Sequence, residues 1–173
     1  MKKMSVILVL ILAFLFAGCP LDSEYDLGSA MLSNIDTRLL GKWQNLTDTT
    51  GKYLLVERDT DPEYPDYVKI YLLKTANQDK NDENVEMFWA RFAKVNGSEY
   101  FVVEYFDELW SVYVEHYYYY YKVVDSKNIT VKDVNPDYAH DETIKTGEEL
   151  KAYFNSNQSK PDFLINETKY RKI

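Results

Sequence analysis

The sequence predicts an all-β fold: an antiparallel up-and-down barrel of eight strands, with one short helix before the last strand. Three observations carry that prediction. From Arg38 onward, apolar runs of strand length alternate with turn signals at short spacing. The composition favours strands, with sixteen Tyr, eight Phe and three Trp in 173 residues. Near residue 146 the apolar period changes once, from two to that of a helix. Hairpin-linked strands in series close most simply on themselves, and closure removes the sheet edges that would otherwise recruit a neighbour. A two-sheet sandwich is the alternative arrangement of the same strands.

Taken in order, Leu39–Leu46 is the first expected strand, ended by Asp48-Thr49-Thr50-Gly51, and Lys52–Arg58 is the second. An acidic loop over Asp59–Asp66 leads to Tyr67–Lys74, and the polar run Asn77–Asn84 leads out of it. Val85–Val95 and Ser98–Phe106 flank Asn96-Gly97, the strongest short hairpin signal in the chain, because both residues tolerate positive φ. Leu109–Val124 is long enough to bend, and Asn128–Val134 ends at Asn135-Pro136-Asp137. Thr146-Gly147-Glu148-Glu149 is a capping box, and Leu150, Tyr153 and Phe154 then share one helical face. Pro161 follows, and Asp162–Ile173 is the eighth strand.

Upstream of the barrel the pattern is different. Lys2 and Lys3 precede an unbroken apolar run from Val6 to Phe16, then small Ala17 and Gly18, then Cys19. The run is shorter than the roughly 20 residues a spanning helix needs, and no other stretch could cross a bilayer. This is the form of a secretory signal. With the cysteine at the exit it resembles the lipobox of bacterial lipoproteins, although Phe16 stands where Leu is usual. The resemblance implies that residues 1–18 are a signal peptide, that Cys19 is acylated (palmitate among the acyl groups), and that 19–37 is a lipidated tether before a barrel domain at 38–173. Two or more acyl chains hold a protein stably on a membrane. Lipid has to do so alone, because the chain carries −8 and loss of residues 1–18 removes two Lys and no acid, leaving −10. The same charge argues against nucleic acid as a partner. Cys19 is the one cysteine, so no disulfide can form within the chain.

Asn34-Ile35-Asp36 followed by Leu40-Gly41-Lys42-Trp43 resembles the N-x-D…G-x-W opening of lipocalins, with a gap one residue shorter than usual. That resemblance implies that Trp43 closes the barrel floor and that a basic residue near the C-terminus lies over it, for which Arg171 is the candidate. The later run, with Glu115-His116-Tyr117-Tyr118-Tyr119, the helix and a basic last strand, is similar to uncharacterised lipocalin-like lipoproteins of bacteria, a group that brings no activity with it.

For chemistry, His116 stands out. Trp110, Val112 and Val114 alternate with polar neighbours, so period two places His116, Tyr118 and Tyr120 on the apolar side of their strand. An inward imidazole could bond a ligand or shuttle a proton; a core histidine satisfied by a Tyr hydroxyl is the plainer account. The Tyr117–Tyr121 run reads either as a platform for a sugar or headgroup, or as packing on both faces of the strand. His140 lies in an acidic loop with no second His or Cys at a metal-binding spacing. Asp79, Asn81 and Glu83 imitate a calcium loop, but Asn84 replaces its turn glycine. No Ser has the setting of a nucleophile, and Glu104 and Glu115 are not distinctive enough as a carboxylate pair in so acidic a chain. No enzyme, cofactor or metal site is therefore expected.

The expected function is that of a cell-envelope lipoprotein, anchored to the inner or outer membrane, whose barrel binds a small apolar or amphipathic ligand. Phe88, Phe92, Phe101, Trp110, His116 and Tyr118 would line the cavity by strand parity. The alternative is an interaction protein with a filled barrel that docks an envelope protein through its outer face.

Overall fold

The computed structural model describes residues 32–48, 52–106, 114–135 and 146–173. The expected signal peptide, Cys19, most of the expected tether, Trp110 and His140 lie outside the described residues. Eight strands form an antiparallel closed barrel: β2 (Gly41–Asn45), β3 (Tyr53–Arg58), β4 (Val68–Leu73), β5 (Glu86–Val95), β6 (Ser98–Phe106), β7 (Val114–Val123), β8 (Asn128–Val134) and β9 (Leu164–Lys172). Each pairs with the next, and β9 returns to β2 through Trp43↔Lys172, Gln44↔Arg171 and Asn45↔Tyr170. A two-residue β1 (Leu32–Ser33) precedes them. It pairs with β5 at Ala93 and Phe92, beyond Ala90, where the pairing of β4 with β5 stops at Val68. The start of the described chain thus covers a length of β5 edge that β4 is too short to reach.

One end of the barrel is closed. A 3-10 turn at Thr37–Leu39 crosses it, with Asp36 as N-cap accepting from the Arg38 N–H at 3.0 Å. Leu39 and Trp43 are fully buried beneath that turn, and the Trp43 indole N–H donates to the Leu39 carbonyl at 2.8 Å. Gly41 has φ +119°, a conformation that side chains resist, and a Cβ there would meet Lys172 Cε at 3.0 Å. That close approach lets Lys172 place its ammonium 5.3 Å from the centre of the Trp43 ring and 3.2 Å from the Arg38 carbonyl. The basic residue over the tryptophan is therefore Lys172. Arg171, expected in that place, is exposed on the outer face: side chains alternate along β9, and Lys172 is the residue in register with Trp43.

Two separate cores hold the fold. Inside the barrel, Val56, Val68, Ile70, Ala90, Phe92, Phe101, Tyr121 and Ile129 pack on Leu39 and Trp43. On the outer wall, α1 (Gly147–Asn157) lays Leu150 and Phe154, with Phe163, against Ala93, Val95, Tyr100, Val102, Tyr118 and Val134. The helix starts where the capping box predicts, Thr146 Oγ1 accepting from the Glu149 N–H at 3.2 Å. Phe154 stands edge-on to Tyr100, Tyr118 and Phe163, at centroid distances of 5.2, 5.4 and 5.3 Å. Because the helix covers one face of the wall and the barrel core the other, Ala90, Arg91, Phe92 and Ala93 are buried in succession. A strand covered on both faces loses its period of two.

Candidate functional site

The barrel interior holds a cavity of about 420 Å³. Its floor is Leu39 and Trp43, and it runs from there to the opposite end of the barrel, where Tyr117 lines it while remaining 43% exposed. Its lining is divided by strand. The residues from β3, β4 and β5 are Leu54, Val56, Ile70, Leu72 and Phe88, all hydrocarbon. Opposite them, β7, β8 and β9 contribute Tyr117, Tyr119, Asp133, Thr168 and Tyr170 among apolar Ile129 and Val131. The division has a plain origin in the sequence. Period two along β8 puts Ile129, Val131 and Asp133 on one face, and along β9 it puts Thr168 beside Tyr170.

An irregularity lies beside the acid. Register passes from Val131↔Thr168 to Asp133↔Ile165, so three steps of β9 oppose two of β8. Asn166 takes up the extra length at φ 52°, and its Nδ2 donates to Asp133 Oδ2 at 3.0 Å. Asp133 also acts on the phenols. Burial pushes the Tyr119 hydroxyl above its ordinary range and the charge of Asp133 adds to it. Burial likewise raises Tyr170, to about 12, with Asp133, Tyr119 and Asp48 contributing. Both phenols are hydrogen-bond donors at any physiological pH.

The expected lining residues divide three ways. Phe88 and Phe101 line the cavity. Phe92 points inward but is fully buried in the packed core, 5.2 Å from the Phe101 ring centre. His116 and Tyr118 face outward, a correction to the parity read from the sequence. Their inward neighbours Tyr117 and Tyr119 line the cavity in their place, paired across the sheet with Val103 and Phe101. The Tyr run is apolar on both faces because both are covered, so alternation could not decide which face was inner. Leu54, Leu72, Asp133, Thr168 and Tyr170 also line the cavity, and period two in β8 and β9 marks the last three.

On the outer wall His116 belongs to a different group. The Glu104 carboxylate is buried there, with Arg91 Nη2 at 2.7 Å and Nε at 2.9 Å from Oε1, and the Tyr67 hydroxyl donating at 3.2 Å. His116 Nε2 is 3.7 Å from the same oxygen, and its Nδ1 is buried without a hydrogen-bond partner among the described residues. Burial opposes ionisation of Glu104, but His116 and the Arg91 guanidinium outweigh it and hold the carboxyl below its usual range. The Arg91 guanidinium also stacks 5.0 Å from the Tyr67 ring centre. These contacts tie the start of β4 to β5, β6 and β7.

Among the described residues no group of three or more His, Cys, Asp or Glu is placed to hold a metal ion, and no helix is long and apolar enough to cross a membrane. No protein-family model matches the chain, nor does any curated protein or solved structure.

Proposed function

We propose that the chain is a lipid-anchored, lipocalin-like protein of the bacterial envelope whose barrel binds one small, mainly apolar ligand. The observation that carries this reading is the cavity. Its volume of about 420 Å³ falls in the range of small-molecule sites, roughly 300–1,000 Å³. Its lining also has the composition of such sites, hydrocarbon over most of its area with a few polar groups gathered on one side. Eight strands enclose just enough space for side chains or for one small ligand. A barrel built only as a scaffold would fill that space with side chains, since an apolar void costs stability. The tether reading rests on the Lys2-to-Cys19 pattern and supplies the address, not the ligand.

The test is a substitution that fills the space. Val103 lines the cavity on β6, opposite Tyr117 on β7. An environment-sensitive apolar dye should bind the protein saturably at one site. Val103→Trp should lower that affinity at least about tenfold while leaving the free energy of urea unfolding within roughly 1 kcal/mol of the parent, because a void accommodates the added ring. Dye binding unchanged by Val103→Trp would overturn the reading.

A further inference from the structure

The polar wall of the cavity narrows the class of ligand, on the reading that the cavity is a binding site. Among the residues that line it there is one carboxylate, Asp133, and no Lys, Arg or His. Asp133 differs from the ion-paired acids of this protein. Asp36, Glu57, Asp59, Glu104 and Glu167 each have a Lys or Arg within ion-pair distance. The side-chain partner of Asp133 is the neutral amide of Asn166, and no cationic side chain among the described residues pairs with it. Its neighbour on β8, Lys132, is turned to the other face and pairs with Glu167 at 3.1 Å.

We propose that the ligand is a cationic amphiphile: an aliphatic or aromatic body that lies on Leu54, Ile70, Leu72 and Phe88, with a protonated amine that pairs with Asp133. The aromatic neighbours suit such a head. Tyr119 and Tyr170 lie within the field of Asp133, and phenol faces attract cations as well as offering hydroxyls. A fatty-acid carboxylate would meet the opposite situation, bringing a second negative charge to Asp133 with no cation in the lining to offset it. The net charge of −8 works in the same direction, raising the local concentration of cations around the protein.

Three ligands with one tail separate the head from the body: decylamine, decanol and decanoate, each used to displace the dye from the full chain at neutral pH. The amine should bind about tenfold more tightly than the alcohol, and the carboxylate about tenfold more weakly. Asp133→Asn should bring the amine down to the affinity of the alcohol, with far-ultraviolet circular dichroism reporting that the variant is folded. Decanoate binding as tightly as decylamine, or an amine preference that survives Asp133→Asn, overturns the proposal while decanol binding upholds the cavity as a site. The wild-type ratio of amine to carboxylate decides the matter even without a folded variant. Failure of all three to displace a dye that Val103→Trp expels overturns the proposal and leaves the cavity as a site for another class of ligand.

Discussion

Glu104 shows how a single residue links the outer wall to solution conditions. Its carboxylate is buried, and Arg91, Tyr67 and His116 surround it. A folded-state carboxyl held below its unfolded value adds stability above the unfolded value, near pH 4.3, and that stability is lost as pH falls through the depressed one. Asp36 behaves the same way, burial opposing its ionisation and Arg38 prevailing. Urea unfolding should therefore show stability falling steeply below about pH 4.3. Glu104→Gln should lose about 3–5 kcal/mol at neutral pH, because the buried Arg91 guanidinium loses the opposing charge of Glu104, and its acid limb should be flatter. An unchanged acid limb would assign the loss to other carboxylates. This network could not be read from the sequence, because Arg91, Glu104 and Tyr67 come from three separate segments and only sheet register brings them together. The identity of the cation over Trp43 was hidden for the same reason: Arg171 and Lys172 are adjacent basic residues, and the choice between them depends on a one-residue register with β2.

At the scale of elements, α1 explains both what the sequence revealed and what it concealed. The capping box, the i, i+3, i+4 face and the Asn96-Gly97 hairpin are local signals, and each stands where the sequence places it. Inside and outside on β7 are not local, because α1 converts the outer wall into a second core. Tyr118, expected to face a ligand, instead packs edge-on to Phe154. Phe154→Ala should therefore cost about 3–5 kcal/mol in urea unfolding and detach the helix from the wall, while the cavity behind the sheet keeps its affinity for the dye. Loss of dye binding in a variant still folded by circular dichroism would mean that the two cores are coupled through β6 and β7. The polar wall was more legible than it looked: Ile129, Val131 and Asp133 alternate in a strand whose boundaries the sequence gives correctly.

For the whole molecule, closure was legible because eight strands in series, each able to pair with the next, have few other ways to satisfy their edges. Whether the interior is filled was not, since that depends on how volumes from eight strands sum. The proposed anchor is tested at this scale: Cys19→Ala should move the protein from the detergent-rich phase to the aqueous phase on phase separation, and retention with detergent would count against acylation. The short pairing of β1 with β5 then bears on orientation. Leu32 and Ser33 join β5 near the Asn96-Gly97 hairpin, the same end at which Leu39 and Trp43 form the floor. Residues 20–31, extended, reach roughly 40 Å from Cys19. Under the proposed acylation of Cys19 the leash would join the sealed base and leave the doorway free to face the surrounding water, so cargo would be exchanged there and not drawn directly out of the lipid.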